Sequence, residues 1–227
     1  MKKFNLSISK TIILLFLSIK PLYSAEMTDP IKVDWSFKGL TGTFDRASLQ
    51  RGFQVYKEVC SSCHSMQYLS YRNLGESGGP EFTEAEVKAI AASFEVTDGP
   101  DSQGEMFTRP GRPSDMFVSP HPNKEAAAAA NGGAYPPDMS VLVKARKGGA
   151  NYIYSVLVGY EDPPPGVTLD QGVYYNKYMI GNKIKMPNNL EDGLIEYADG
   201  TVSTVDQMAK DVTTFLAWAA EPELEER

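Results

Sequence analysis

Val59-Cys60-Ser61-Ser62-Cys63-His64 decides how the rest of this chain is read. It holds both cysteines and one of the two histidines in 227 residues. Cys60-x-x-Cys63-His64 has the spacing of a c-type haem attachment site. Two thiols three positions apart can each add across a vinyl group of one porphyrin, and the histidine that follows is held beside the iron as its proximal ligand. A zinc site needs about four ligands, and His121 is the one spare imidazole. A redox dithiol of the thioredoxin kind would sit in a βαβ pattern, which the flanking sequence lacks.

On either side of the motif the pattern is helical. Asp45 can cap a helix whose Leu49, Phe53 and Tyr56 share one face. Gly52 lies on the face of Tyr56 and would let a second helix approach closely. Near the C-terminus, Ser203 and Asp206 mark the start of a last helix. Its buried face is Met208, Val212, Phe215, Leu216 and Ala219, with Trp218 beside them, and Pro222 ends it. Thr83 and Glu86 form a capping box for a short helix through Phe94, which Thr97-Asp98-Gly99-Pro100 ends. The alanine run 126–130 predicts another short helix inside a Pro- and Gly-rich loop, 98–138. A loop this long points to function, and we expect it to wrap one edge of the haem. Pro136-Pro137-Asp138 introduces a helix carrying Leu142, Val143 and Arg146, which Gly148-Gly149 stops. Asn151 to Tyr160 forms the next helix, stopped by Pro163-Pro164-Pro165. Asp199-Gly200 predicts a hairpin turn between Leu194–Tyr197 and Thr201–Val202. The expected fold is mainly α, with long loops and a small β-hairpin.

Residues 1–25 read as a secretory signal peptide, cleaved near Ser24 or Ala25. Lys2 and Lys3 form its basic start, and Ile12 to Ile19 is an apolar run too short to span a membrane. Residues 26–44 read as an extended N-terminal arm on the surface, with Trp35, Phe37 and Phe44 among prolines and glycines. Residues 45–220 form the haem domain and 221–227 an acidic tail. After residue 25 no run approaches the roughly eighteen apolar residues a membrane helix requires. The net charge of −7 becomes −11 once Lys2, Lys3, Lys10 and Lys20 leave with the leader. That balance speaks against nucleic acid as a partner and fits either a basic protein partner or simple solubility.

An iron that only carries electrons needs a sixth ligand. His121, between two prolines in a loop, reads as solvated. Met139 and Met208 read as core, Met66 is too close to the motif to reach around the ring, and Met106 and Met116 lie in the long loop. Met179 and Met186 remain, and Met186 is the better placed. Pro187 fixes the backbone behind it, and it precedes the final helix. His/Met ligation raises the reduction potential. Arg146, in Lys144-Ala145-Arg146-Lys147, can pair with a haem propionate or stand in a solvated basic turn.

The ordered segments of this chain resemble the cytochrome c1 family of the ubiquinol–cytochrome c reductase (cytochrome bc1) complex. The resemblance covers residues 34–227. It rests on the run from Arg51 through Met66, on Asp98-Gly-Pro100, Gly104-Glu-Met-Phe107 and Arg109-Pro-Gly111, on Ala129-Ala-Asn-Gly-Gly-Ala134 with Pro136-Pro-Asp138, and on Met208 to Pro222. It implies a cytochrome c-like helical core around one covalent haem c. By the same resemblance Cys60 and Cys63 form the thioethers, His64 and Met186 are the axial ligands, and Arg146 lies near a propionate. The implied role is a redox subunit, without a catalytic site of its own, that takes one electron from the Rieske iron–sulfur protein and passes it to a cytochrome c. The implied partners are cytochrome b, the Rieske subunit, the acceptor cytochrome c and, through a C-terminal anchor that this sequence does not contain, the membrane. The implied location is the periplasmic face of the bacterial inner membrane. A free periplasmic electron carrier, or an open-iron sensor or enzyme, are the other functions open to the motif. Two departures stand out. The family places small apolar residues around its sixth ligand, whereas Ile184-Lys185-Met186-Pro187 puts a lysine there. The chain also ends at Arg227, where the family continues into a basic stretch and a membrane helix.

Overall fold

The computed structural model describes residues 28–226; the expected signal peptide lies outside the described residues. Two long helices form the frame. Helix α1, Arg46–Glu58, starts where the Asp45 carboxylate accepts a hydrogen bond from the Ser48 N–H. Helix α5, Val205–Ala220, starts at Thr204, whose hydroxyl accepts from Gln207 N. The cap is therefore Thr204 rather than Ser203, because the Ser203 hydroxyl donates to the Ile195 carbonyl. The two helices cross at Gly52. A Cβ there would stand 2.1 Å from the Asp211 carbonyl oxygen, so hydrogen alone permits this approach. Beside the crossing, Arg51 bonds the fully buried Asp211 from Nε at 2.9 Å and Nη2 at 3.1 Å. Phe53, Tyr56 and Phe215 pack their rings across the same interface.

Three shorter α-helices complete the set among the described residues. Helix α2, Glu84–Ala92, has the reciprocal Thr83/Glu86 capping box that the sequence predicts. Helix α3, Lys124–Ala130, is the alanine run, capped by Asn123. Helix α4, Gly149–Val158, packs on α5. Gly148 is its N-cap at φ 93°, and Gly149 is its first residue. The glycine pair thus opens a helix rather than closing one, and the expected helix over Pro136–Arg146 is a series of turns.

The β-structure differs in place from the expectation. Strands β1, Glu95–Asp98, and β2, Phe107–Pro110, pair antiparallel inside the long loop. Strands β3, Tyr174–Tyr175, and β4, Lys183–Ile184, form a second short pair. Helix α2 accordingly ends before Glu95, and Thr97-Asp98 is strand. At Asp199-Gly200 the turn forms, with Gly200 N bonded to the Tyr197 carbonyl, but its flanks carry no strand. Residues 28–45 carry no helix or strand, yet Trp35, Phe37 and Phe44 are buried in the core rather than lying on the surface. Asn151 of α4 holds this segment through bonds from Val33 N and Trp35 Nε1. No helix among the described residues is long and apolar enough to cross a membrane.

Candidate functional site

Helix α1 ends at Glu58, and the chain tightens into a 3₁₀ turn over Cys60–Ser62. The His64 N–H and the Cys63 N–H both reach the Cys60 carbonyl. This turn sets Cys60, Cys63 and His64 along one wall of a cavity of about 580 Å³. Helices α4 and α5 supply apolar walls, among them Ile153, Val156, Val212 and Leu216. The long loop supplies Ala130 to Pro137, and the late loop supplies Met179 and the run Ile184 to Leu190. The volume is that of a site for a large prosthetic group, apolar with a few placed polar atoms.

The cysteines are free thiols. Burial, and then the neighbouring Cys63, push Cys60 up to about 12. A redox dithiol needs the opposite shift, so this environment does not make a thioredoxin-like thiolate. Burial also lowers the His64 imidazole from its ordinary value, against smaller opposing effects of the Pro137 carbonyl and Asp138. This shift favours the neutral ring. Its Nδ1 lies 2.8 Å from the Pro137 carbonyl oxygen. A carbonyl only accepts, so Nδ1 carries the proton and Nε2 keeps its lone pair for a metal.

The five residues singled out from the sequence, Cys60, Cys63, His64, Arg146 and Met186, all line this one cavity. His121 does not. Met179 lines it as well, but its sulfur accepts a hydrogen bond from the Tyr152 hydroxyl at 3.1 Å. The backbone at Met186 is held by the Tyr160 hydroxyl, which donates to the Met186 carbonyl at 2.9 Å. Lys185 Nζ donates to the Gly132 carbonyl at 3.1 Å, and both residues line the cavity. Arg146 is exposed, and its guanidinium reaches the Ala145 carbonyl at 3.3 Å. Met139 and Met208 are buried. Thiols, a neutral imidazole with a free nitrogen, a thioether and apolar walls in one cavity form a donor set that fits a covalently held haem.

Asp138 and Tyr160 escaped the sequence reading. Asp138 was expected to open a helix; instead its carboxylate joins two segments beside His64. It accepts from Ser65 Oγ at 2.7 Å, Gln67 N at 2.9 Å and Ser140 N at 2.9 Å. Burial works against its charge, but the bonds from Ser140, Gln67 and Ser65 outweigh it and hold the carboxyl below its usual range. The bond two residues on, to Ser140 N, is an Asx turn, and Pro-Pro-Asp is the signal that could have revealed it.

Comparison with known proteins gives a consistent match. The Cytochrome C1 family matches residues 35–227. "Cytochrome c1-2, heme protein, mitochondrial" of Solanum tuberosum is 55% identical over 193 residues, covering 85% of this chain and 73% of that protein. "Cytochrome c1" of Rhodospirillum rubrum is 51% identical over 212 residues, covering 86% of this chain and 77% of that protein. "Cytochrome b/c1" of Bradyrhizobium diazoefficiens is 51% identical over 212 residues, covering 85% of this chain and 31% of that protein. Among the plant relatives the chain spans from 59% to 73% of their length.

Proposed function

The chain belongs to the cytochrome c1 family, and from that premise we propose that it is the haem-bearing electron-transfer subunit of a ubiquinol–cytochrome c reductase. One observation carries the reading: Cys60, Cys63, His64 and Met186, spread over much of the chain, line a single apolar cavity. Bound there, a haem c supplies a one-electron redox couple. Cys60 and Cys63 would hold it through thioethers. His64, its Nδ1 committed to Pro137, would offer Nε2 to the iron, and Met186 would offer its thioether. Arg146, exposed at the cavity rim, would pair with a propionate. The walls from α4 and α5 exclude water, which favours the reduced, less charged iron. With His64 and Met186 both committed to the group, the subunit would relay electrons and have no catalytic site of its own.

In this reading the subunit takes an electron from a Rieske iron–sulfur protein and gives it to a cytochrome c. It works beside cytochrome b on the periplasmic face of the inner membrane, exported by the leader in residues 1–25 and held to the membrane by a C-terminal anchor. The Bradyrhizobium diazoefficiens relative named "Cytochrome b/c1" supports the cytochrome b partnership. Detergent extraction of the membranes that express the full gene tests the proposal. The subunit should co-purify with a b-type cytochrome and an iron–sulfur protein, and keep its haem on a denaturing gel. A haem-loaded monomer recovered without detergent or partners would favour a diffusible carrier.

A further inference from the structure

The His64 ring is oriented by the Pro137 carbonyl, 2.8 Å from Nδ1. Pro137 belongs to an irregular turn with no ladder to fix it, so its carbonyl needs another anchor. That anchor is the next residue. Asp138 Oδ2 takes the Ser65 hydroxyl at 2.7 Å and the Gln67 N–H at 2.9 Å, while Oδ1 takes Ser140 N at 2.9 Å. Around this carboxylate the two segments are stitched further by Met139 N to the Ser65 carbonyl at 2.8 Å and Tyr68 N to Ser140 Oγ at 3.1 Å. Ser65 and Ser140 are both buried. The stitching encloses the His64–Pro137 bond, and the Asp138 carboxylate acts from behind it, since Asp138 itself is not among the cavity's lining residues.

We propose that Asp138 is a positioning residue that clamps the Pro137 carbonyl onto His64 Nδ1 and thereby sets the reduction potential of the iron His64 ligates. The inference rests on the haem reading above. A hydrogen bond to the far nitrogen of a ligating imidazole raises its basicity and so stabilises the oxidised iron. Loosening that bond raises the potential. Only a carboxylate satisfies the site. Each of its oxygens faces a backbone N–H, so an asparagine must turn its own NH₂ group toward one of them.

The test uses the full-length, haem-loaded protein and three variants: Asp138→Asn, Asp138→Glu and Ser65→Ala. The readouts are the midpoint potential and the exchange rate of the His64 Nδ1 proton by NMR. If Asp138 works by position, the potential rises in all three, including Ser65→Ala, which changes no charge and serves if the Asp138 variants fold poorly. Nδ1 proton exchange then quickens by roughly tenfold as the bond is weakened. If the potential moves in Asp138→Asn alone, the carboxylate acts only through its charge and the proposal fails. It fails equally if proton exchange stays at the wild-type rate in all three. Covalent haem staining of the wild-type protein is read separately; its absence would overturn the haem reading rather than the role of Asp138.

Discussion

Gly52→Ala sets two physical effects against each other. In an isolated helix the alanine would stabilise by about 1 kcal/mol. At this crossing its Cβ would lie 2.1 Å from the Asp211 carbonyl oxygen, 2.7 Å from the Asp211 carbonyl carbon and 2.7 Å from Phe215 Cβ. Two of those atoms are backbone and cannot swing aside, so α1 and α5 must part by about 1 Å to restore van der Waals contact. Such overpacking costs about 3 kcal/mol, at the upper end for added methyl groups, because a whole helix moves. The parting also stretches the Arg51–Asp211 bonds next to it. The net expectation is a loss of about 2 kcal/mol, seen as a fall in Tm of about 4–8 °C for a domain of this size. Thermal unfolding followed by circular dichroism on the haem-loaded protein measures it. A variant as stable as the wild type, or more stable, would refute the close crossing, since helix propensity alone would then govern the position.

Three further outcomes follow from the site and its surroundings. Met186→Leu should open the iron to carbon monoxide, which the wild type should not bind, and lower the reduction potential; rapid carbon monoxide binding by the wild type, unchanged in the variant, would remove Met186 as a ligand. Arg109 holds the Asp115 carboxyl down at about 2, so the folded protein binds that proton less tightly than the unfolded chain. Its stabilisation is present above the ordinary carboxylate range near about 4 and is lost as pH falls toward about 2; unfolding scans should show the wild type losing more stability across that window than Asp115→Asn. On the β1–β2 hairpin, Asp98 and Asp101 are bonded within the hairpin itself, whereas Glu95 and Glu105 are exposed. Reversing Glu95 and Glu105 to lysine should slow electron donation to a basic cytochrome c at low salt and have little effect at high salt; identical rates at low salt would exclude this hairpin as the docking face.

What could be read in advance followed the range of the interactions. Helices α1, α2 and α3 begin at caps made within three residues, Asp45 to Ser48, Thr83 to Glu86 and Asn123 to Ala126, and so are written locally. The glycine at the helix crossing was also legible, because a small residue on a buried face has few other uses. The β1–β2 hairpin was hidden because a Pro- and Gly-rich stretch reads as loop. Side chains outside its turn secure it: Arg109 bonds Asp98 on the opposite strand and Asp115 beyond it. At Asp199-Gly200 the turn chemistry is correct, but Ser203 spends its hydroxyl on the Ile195 carbonyl and no strand pairing follows. Gly148-Gly149 shows that positive-φ glycines mark a break without saying which side of it the helix lies. At the site, the motif named the cysteines and His64, while Asp138 depends on where two distant segments meet and has no local signature beyond its Asx turn.

The pairing of α1 with α5 joins residues as far apart as Arg51 and Asp211, 160 positions along the chain, whereas Cys60, Cys63 and His64 fall within one turn. This difference sets an order for biogenesis. The two thiols and their histidine are together as soon as that turn has been made, and closing them in must wait for the last helix, after the cost of closing a very long loop has been met. A chain interrupted before Val205 would keep every atom needed for attachment and lose the wall formed by Val212 and Leu216. Premature termination should therefore leave a protein that carries its prosthetic group but exposes it to water and oxygen.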